Sequence, residues 1–303
     1  MVRPAAFDYN PQTAISNPMQ RPASAEDGDV QALARAEFEG VFEGLRRQGV
    51  RVCVADDTPR PQKPDAVFPN NWVSFHADGT VVVYPLAAEI RRAERRPEVI
   101  EQAARELGFR ARRTLDLTHH ESAGRFLEGT GSLVLDRVHR VAYACRSPRT
   151  DTAVLEEWSR ELRYEPVQFS AVDPQGRPIY HTNVMMCIAE RFAIVATQSI
   201  APADRVRVLE RLSATGRELI EIGHSAVQAF AANALELESS RSASRDRRGV
   251  LVLSSTARRA LGIEALARLE NCTGEVLTVS VPTIERLGGG GVRCMLAEVF
   301  STS

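Results

Sequence analysis

The sequence predicts a soluble α/β protein, and three observations carry that expectation. Apolar runs of strand length alternate with amphipathic runs of helix length along the 303 residues. The composition, 44% hydrophobic and 25% charged, is that of an ordinary globular chain. No apolar run approaches the ~18–20 residues of a membrane span, and Met1-Val2-Arg3-Pro4 opens no signal-like apolar segment. With free thiols, the same features predict a cytoplasmic location.

Strands are expected at Val50–Val54, Thr80–Tyr84, Ser132–Leu135, Val141–Cys145, Val184–Ile188, Ala193–Thr197, Val250–Ser254, Glu275–Val281 and Cys294–Phe300. These stretches are rich in Val and Ile and are bounded by Gly, Pro, Asp or Asn. Helices are expected at Val30–Gln48, Ala88–Leu107, Thr152–Leu162, Ala201–Leu212 and Thr256–Leu269, the second broken or kinked at Pro97. Asp151 and Ser255 are the expected N-caps. The polar stretch Glu238–Gly249 reads as an exposed loop. A unit of two or three strands plus a helix recurs about five times, with no clear sequence repeat. Periodicity alone does not choose between a doubly wound sheet and a propeller of α/β units.

Charge and residue counts exclude several functions. The 38 basic and 39 acidic residues nearly cancel, which argues against a nucleic-acid partner. All but one of the basic residues are arginine; the exception is Lys63, in Pro61-Gln62-Lys63-Pro64. A pyridoxal Schiff base or a phosphate-binding lysine loop would have to use that turn, so both are set aside. The five cysteines are dispersed and form no CxxC pair, so neither a disulfide framework nor a zinc site is expected.

Four segments concentrate the chemistry. The run Gly288-Gly289-Gly290-Gly291-Val292-Arg293-Cys294-Met295 allows close backbone approach and ends in a thiol beside Arg293, whose charge would favour thiolate. His181 opens His181-Thr182-Asn183, where a polar loop becomes an apolar strand, and could serve as a proton shuttle. Glu128 sits on the Gly-flanked turn Leu127-Glu128-Gly129-Thr130-Gly131. Asp65 and Phe68-Pro69-Asn70-Asn71 form a Pro-stiffened turn with two adjacent amides. Cys53, Cys145 and Cys187 lie inside apolar runs and read as core residues.

Together these segments resemble the guanidine-modifying enzymes, a superfamily of arginine deiminases, dimethylarginine dimethylaminohydrolases and amidinotransferases. The glycine run resembles the nucleophile loop of the deiminases. The 127–131 turn resembles their Glu-Gly-Gly-Asp, and His181-Thr182-Asn183 their His-x-Asp. Arg146–Asp151 is similar to the Ser-x-Arg-Thr-Asn segment of the dimethylarginine enzymes, and Arg91-Arg92-Ala93-Glu94 to another basic segment of theirs. The resemblance runs from residue 65 to 295 and is closest to the branch called citrulline-utilisation hydrolases. It implies a five-bladed α/β propeller, the pentein fold, as a single domain over 1–303. It implies catalysis by Cys294, His181 and Glu128, with no cofactor and no metal. It also implies substrate contacts from Asp65, Phe68, Asn70, Asn71, Asn183, Arg149, Arg92, Asn233 and Val292. The partner would be a small amino acid, and a homodimer is compatible with it.

The departures from the family pattern point to the substrate. Where deiminases hold a cationic guanidinium with aspartates, this chain has Asn71, Asn183 and Gly131. A buried cation without carboxylates loses compensation for its desolvation, whereas a neutral ureido group suits asparagine. Citrulline is therefore the expected substrate, giving ornithine, ammonia and carbon dioxide. Arginine or methylarginine hydrolysis is the alternative, an amidinotransferase a weaker one. An idle binding relative would need an inert Cys294, and a nucleotide-binding fold would need its glycines between a strand and a helix.

Overall fold

The computed structural model describes residues 1–241 and 249–301. The loop expected at Glu238–Gly249 lies largely outside the described residues. Among the described residues, five separate small sheets carry the β-structure, and none closes on itself. β1 (Val2–Arg3) pairs with β2 (Ala55–Asp56). The others are three-stranded: β3 (Val73–Phe75), β4 (Thr80–Val83) and β5 (Arg113–Asp116); β6 (Val134–Asp136), β7 (Val141–Cys145) and β8 (Glu165–Phe169); β9 (Met186–Ile188), β10 (Phe192–Val195) and β11 (Glu218–Glu221); β12 (Leu235–Glu238), β13 (Gly249–Ser254) and β14 (Glu275–Val279).

One rule builds each three-stranded unit. The first two strands form an antiparallel pair, and the third pairs parallel to the second. A parallel partner needs a crossover, and an α-helix supplies it each time. These helices are Pro97–Leu107, Thr152–Leu162, Pro202–Ser213 and Ser255–Cys272, and Val30–Arg47 plays the same part between β1 and β2. In Thr152–Leu162, Val154, Leu155, Trp158 and Leu162 are buried on one face. Asp151 caps it by accepting from the amides of Ala153 and Val154.

Several expectations are corrected. Ser254, not Ser255, caps the last long helix, which kinks at Gly262 with φ 74°. The break expected at Pro97 is present: a 3₁₀ turn at Glu89–Glu94 precedes a helix starting at Pro97, because proline fits a first helical turn but not an interior. Val50–Val54 forms no strand; the strand begins one residue later, at Ala55. Cys294–Phe300 is not a strand: Val292–Met295 coils into a 3₁₀ turn, and the segment beyond it pairs with no sheet. No helix among the described residues is long and apolar enough to cross a membrane.

The site follows from a positional regularity. Each unit is entered through a short turn just before its first strand. These turns are Pro69–Asn71 before β3, Gly129–Ser132 before β6, Thr182–Val184 before β9, and residues 229–234 before β12. The fifth, Val292–Met295, precedes the C-terminal segment. The chemistry-bearing residues of the sequence fall on these turns, one unit at a time.

Candidate active site

A buried cleft forms where the turns meet. Asp65, Phe68, Asn71, Arg91, Arg149, Tyr180, His181, Gly288–Gly290 and Cys294 line it, together with Thr13 and Asn17 from the N-terminal segment. Its free volume is about 10 Å³, far below a ligand pocket's usual several hundred.

Cys294 is buried at the turn that follows the glycines. Its Sγ accepts from Asn233 Nδ2 at 3.2 Å and from Asn183 Nδ2 at 3.5 Å. Asn233 Oδ1 in turn accepts from the Arg293 amide at 3.0 Å, so one amide side chain positions both the sulfur and its loop. Burial pushes the thiol above its usual pKa; the two asparagines and Arg293 offset this only in part. Arg293 favours thiolate as expected, but its effect is outweighed by burial. Its guanidinium turns away, to the Leu296 carbonyl and the Glu298 carboxylate.

His181 Nε2 donates to Glu128 Oε2 at 2.9 Å. With the proton on Nε2, Nδ1 carries the free lone pair. Burial lowers the ring's pKa to about 4, against the raising effect of Glu128, so the imidazole is neutral at pH 7. Glu128 is fully buried. Burial opposes its ionisation, but Arg149, His181 and Arg91 outweigh that and hold the carboxyl well below the usual carboxylate range. Arg149 reaches it at 3.2 Å, and the Ala87 amide donates to its other oxygen at 3.0 Å.

Asn71 is fixed by Arg91. The guanidinium, held by a two-point pair with Glu94 at 2.9 Å, donates to Asn71 Oδ1 at 2.8 Å. An arginine only donates, so the oxygen of Asn71 must face it and the amide nitrogen points the other way. That nitrogen is buried with no partner. It lies beside His181 Nδ1, because a Cβ built on Gly131 would stand 2.5 Å from the one and 2.7 Å from the other. Gly131 therefore keeps a free N–H donor and a free base in one space. Replacing Gly131 with alanine should lower kcat on the order of a hundredfold while the fold survives, the usual penalty of an ångström-scale displacement. Steady-state kinetics beside circular dichroism checks this, and unchanged kcat would refute it.

The other expected residues divide. Asn183 and Asn233 stand behind the lining and touch the sulfur. Asn70 is buried but not part of the lining, and its amide has no partner. Val292 packs in the apolar core behind the turn. Arg92 is misplaced by one residue: it is partly exposed and pairs with Glu121 and Glu89, while its neighbour Arg91 enters the cleft. Sequence reasoning also missed Tyr180, Thr13 and Asn17. A signal existed for the last two. Asn10, Thr13, Asn17 and Gln20 recur every three or four residues, as one face of a turn does, and all four are buried. Asn17 donates to the Gly289 carbonyl and Gln20 to that of Leu287, which seats the segment on the glycine loop.

Sequence-family similarity places the chain among the guanidino-modifying pentein hydrolases of carbon–nitrogen bonds, and the fold agrees. A family model described as N,N dimethylarginine dimethylhydrolase, eukaryotic, matches residues 3–301, and the chain belongs to that family. Among solved structures, the N-terminal domain of ArgZ bound to substrate, an arginine dihydrolase from the ornithine–ammonia cycle in Cyanobacteria, is similar with a TM-score of 0.71 at 17% identity. The match covers 99% of this chain and 97% of that one. AgrE in complex with ornithine and NAD+ gives 0.73 at 18%, over 100% of this chain and 39% of that one. An adduct of dimethylarginine dimethylaminohydrolase with S-methyl-L-thiocitrulline gives 0.63 at 17%, over 97% and 96%. The chain spans 40% of the length of the full ArgZ chain. No curated protein matches the sequence.

Proposed function

We propose that this chain is a cysteine-dependent hydrolase of a ureido amino acid, most simply citrulline, which it converts to ornithine, ammonia and carbon dioxide. The observation that carries the reading is the unpartnered Asn71 Nδ2 beside the bare His181 Nδ1. A ureido carbonyl accepts a hydrogen bond there, whereas a guanidinium, with N–H groups on every side, has no acceptor to offer. The five sheets read as the blades of a five-bladed propeller acting as one catalytic domain over 1–303. The five unpaired cysteines agree with a cytoplasmic setting.

In this mechanism the Cys294 thiol gives its proton to His181 as the sulfur attacks the ureido carbon. The tetrahedral adduct collapses when His181 returns that proton to the terminal nitrogen, which leaves as ammonia. A thiocarbamate remains on sulfur. Water, deprotonated by His181, cleaves it to regenerate the thiol and a carbamate, which loses carbon dioxide to give the amine. Glu128 holds His181 in the required tautomer and compensates it when charged. Arg149, with Arg91 in the place expected of Arg92, binds the substrate α-carboxylate.

A second reading, arginine or methylarginine hydrolysis, has its own support. Asp65 Oδ1 is buried and unpaired at the cleft wall, where a carboxylate suits a cation. ArgZ, similar in fold, is an arginine dihydrolase. A steady-state panel of citrulline, arginine, agmatine and methylarginines decides between them. Citrulline is expected to show the highest kcat/KM; a value for arginine equal or greater overturns the ureido reading.

A further inference from the structure

Away from the cleft, His119, His120 and Glu157 converge on the surface. Each offers one ligand atom, and these atoms lie within 4.8 Å of one another. Glu157 Oε2 is 2.8 Å from His120 Nε2 and 3.8 Å from His119 Nε2. Ligands on one ion, each about 2.0–2.2 Å from it, are spaced by a little over 3 Å, which brackets these separations. The two imidazoles face each other with centroids 4.2 Å apart. His119 Nδ1 lies 3.3 Å from the Asp116 carbonyl. A carbonyl can only accept, so that contact puts the proton on Nδ1 and leaves Nε2 with its lone pair aimed at the cluster. An outer hydrogen bond that selects the ligating nitrogen is a recurring feature of histidine metal sites.

We propose that His119, His120 and Glu157 bind one borderline divalent transition ion of the Zn2+ class. Two imidazoles and a carboxylate suit such an ion over Mg2+ or Ca2+, which favour oxygen donors. Three protein ligands leave a fourth position to water. The ion displaces the His120–Glu157 hydrogen bond as the His120 proton shifts to Nδ1. The site bridges two elements, the 3₁₀ turn Thr118–Ala123 and the helix Thr152–Leu162. Both connect to the segments that hold Glu128 and Arg149. Glu121 of the turn accepts from the Leu86 amide at 2.8 Å, next to the Ala87 amide that donates to Glu128. The helix begins two residues after Arg149-Thr150. The ion would therefore staple the supports of Glu128 and Arg149, and it would act on stability without entering the cleft.

Titration of the metal-free chain with Co2+, followed by electronic absorption, tests this. One equivalent is expected to give weak d–d bands with no sulfur charge-transfer band, and Zn2+ should displace it. Zn2+ should also raise the Tm. His119→Ala and His120→Ala should each weaken binding by roughly tenfold or more. The double variant, and Glu157→Gln combined with either, should abolish both binding and the Tm rise while keeping wild-type turnover. Binding that survives in the double variant, a sulfur charge-transfer band as the sole signal, or no binding by the wild type overturns the proposal.

Discussion

Cys294→Ala abolishes turnover, with a residual rate at least ~10⁴-fold below wild type, as expected when a covalent route loses its nucleophile. The loss is chemical and not structural. Sγ sits among side-chain amides, Asn233 and Asn183, which can pair elsewhere: Asn183 Nδ2 also donates to the Thr130 carbonyl, and Asn233 Nδ2 to the Asn183 carbonyl. Little stability should go with the sulfur. Rapid-quench mass spectrometry supplies the positive half of the test. Wild type should accumulate a substrate-derived adduct on Cys294 and the variant none. The free enzyme should also alkylate slowly at pH 7 and faster only above the ordinary thiol range, because burial holds the thiol protonated. Fast alkylation at neutral pH would show that the buried thiol is already ionised, and an adduct on another cysteine in place of Cys294 would remove Cys294 from the mechanism.

Glu128→Ala is expected to damage both catalysis and folding. The carboxylate is the partner of a buried Arg149 and a buried His181, and lies 3.9 Å from Arg91. Its removal strands Arg149 and the Ala87 amide. Breaking a buried pair from one side costs about 3–5 kcal/mol, which for a chain of this size is a Tm drop on the order of 10 °C. The pH dependence should change as well. In wild type the folded Glu128 pKa lies below the unfolded value of about 4.5. Its contribution is therefore present above pH 4.5 and lost below. His181 works over a higher window. Folded, it titrates near pH 4; unfolded, near 6.5. Between those values the unfolded chain takes up a proton that the folded chain refuses, and stability falls as pH falls. His76, buried with its pKa lowered to about 3, adds to the same loss. Thermal scans from pH 7 down to pH 2.5 should show a falling Tm in wild type. In Glu128→Ala the fall should start from a lower Tm and lack the component below pH 4.5. A variant with wild-type Tm would show that Arg149 finds other compensation.

The inner part of each unit was legible in the sequence because its burial is two-sided. Strands such as Val141–Cys145 are wholly buried and read as continuous apolar runs. The third strands were not read where one face meets solvent. Arg113–Asp116 and Glu218–Glu221 carry charge at their ends and look like loop. The Cys294–Phe300 run was misread for the opposite reason: it is apolar enough for a strand, but the 3₁₀ turn at its start aims the thiol. Of the site, Cys294, His181, Glu128 and Asn71 were visible as residue types in a resemblance. The choice between Arg91 and Arg92 was not, since adjacent residues in a tight turn point in different directions and no spacing rule picks one.

The near-absence of free space around Cys294 sets a timetable for the reaction. The guanidinium of Arg149 is already occupied, donating to the Thr13 carbonyl and to Ser16 Oγ at 2.8 Å as well as to Glu128. If Arg149 binds the substrate carboxylate as proposed, that carboxylate replaces those contacts and residues 13–17 withdraw to admit it. The closed arrangement then competes with the substrate as an intramolecular contact. Affinity measured in solution is the intrinsic affinity scaled by the fraction of molecules that are open, and the association rate is bounded by how often they open. Shortening the Asn17 or Gln20 side chain would weaken the clasp on the glycine loop and speed arrival. Under the proposed mechanism the same loosening would also ease the entry of the water that His181 activates, so these contacts govern both half-reactions.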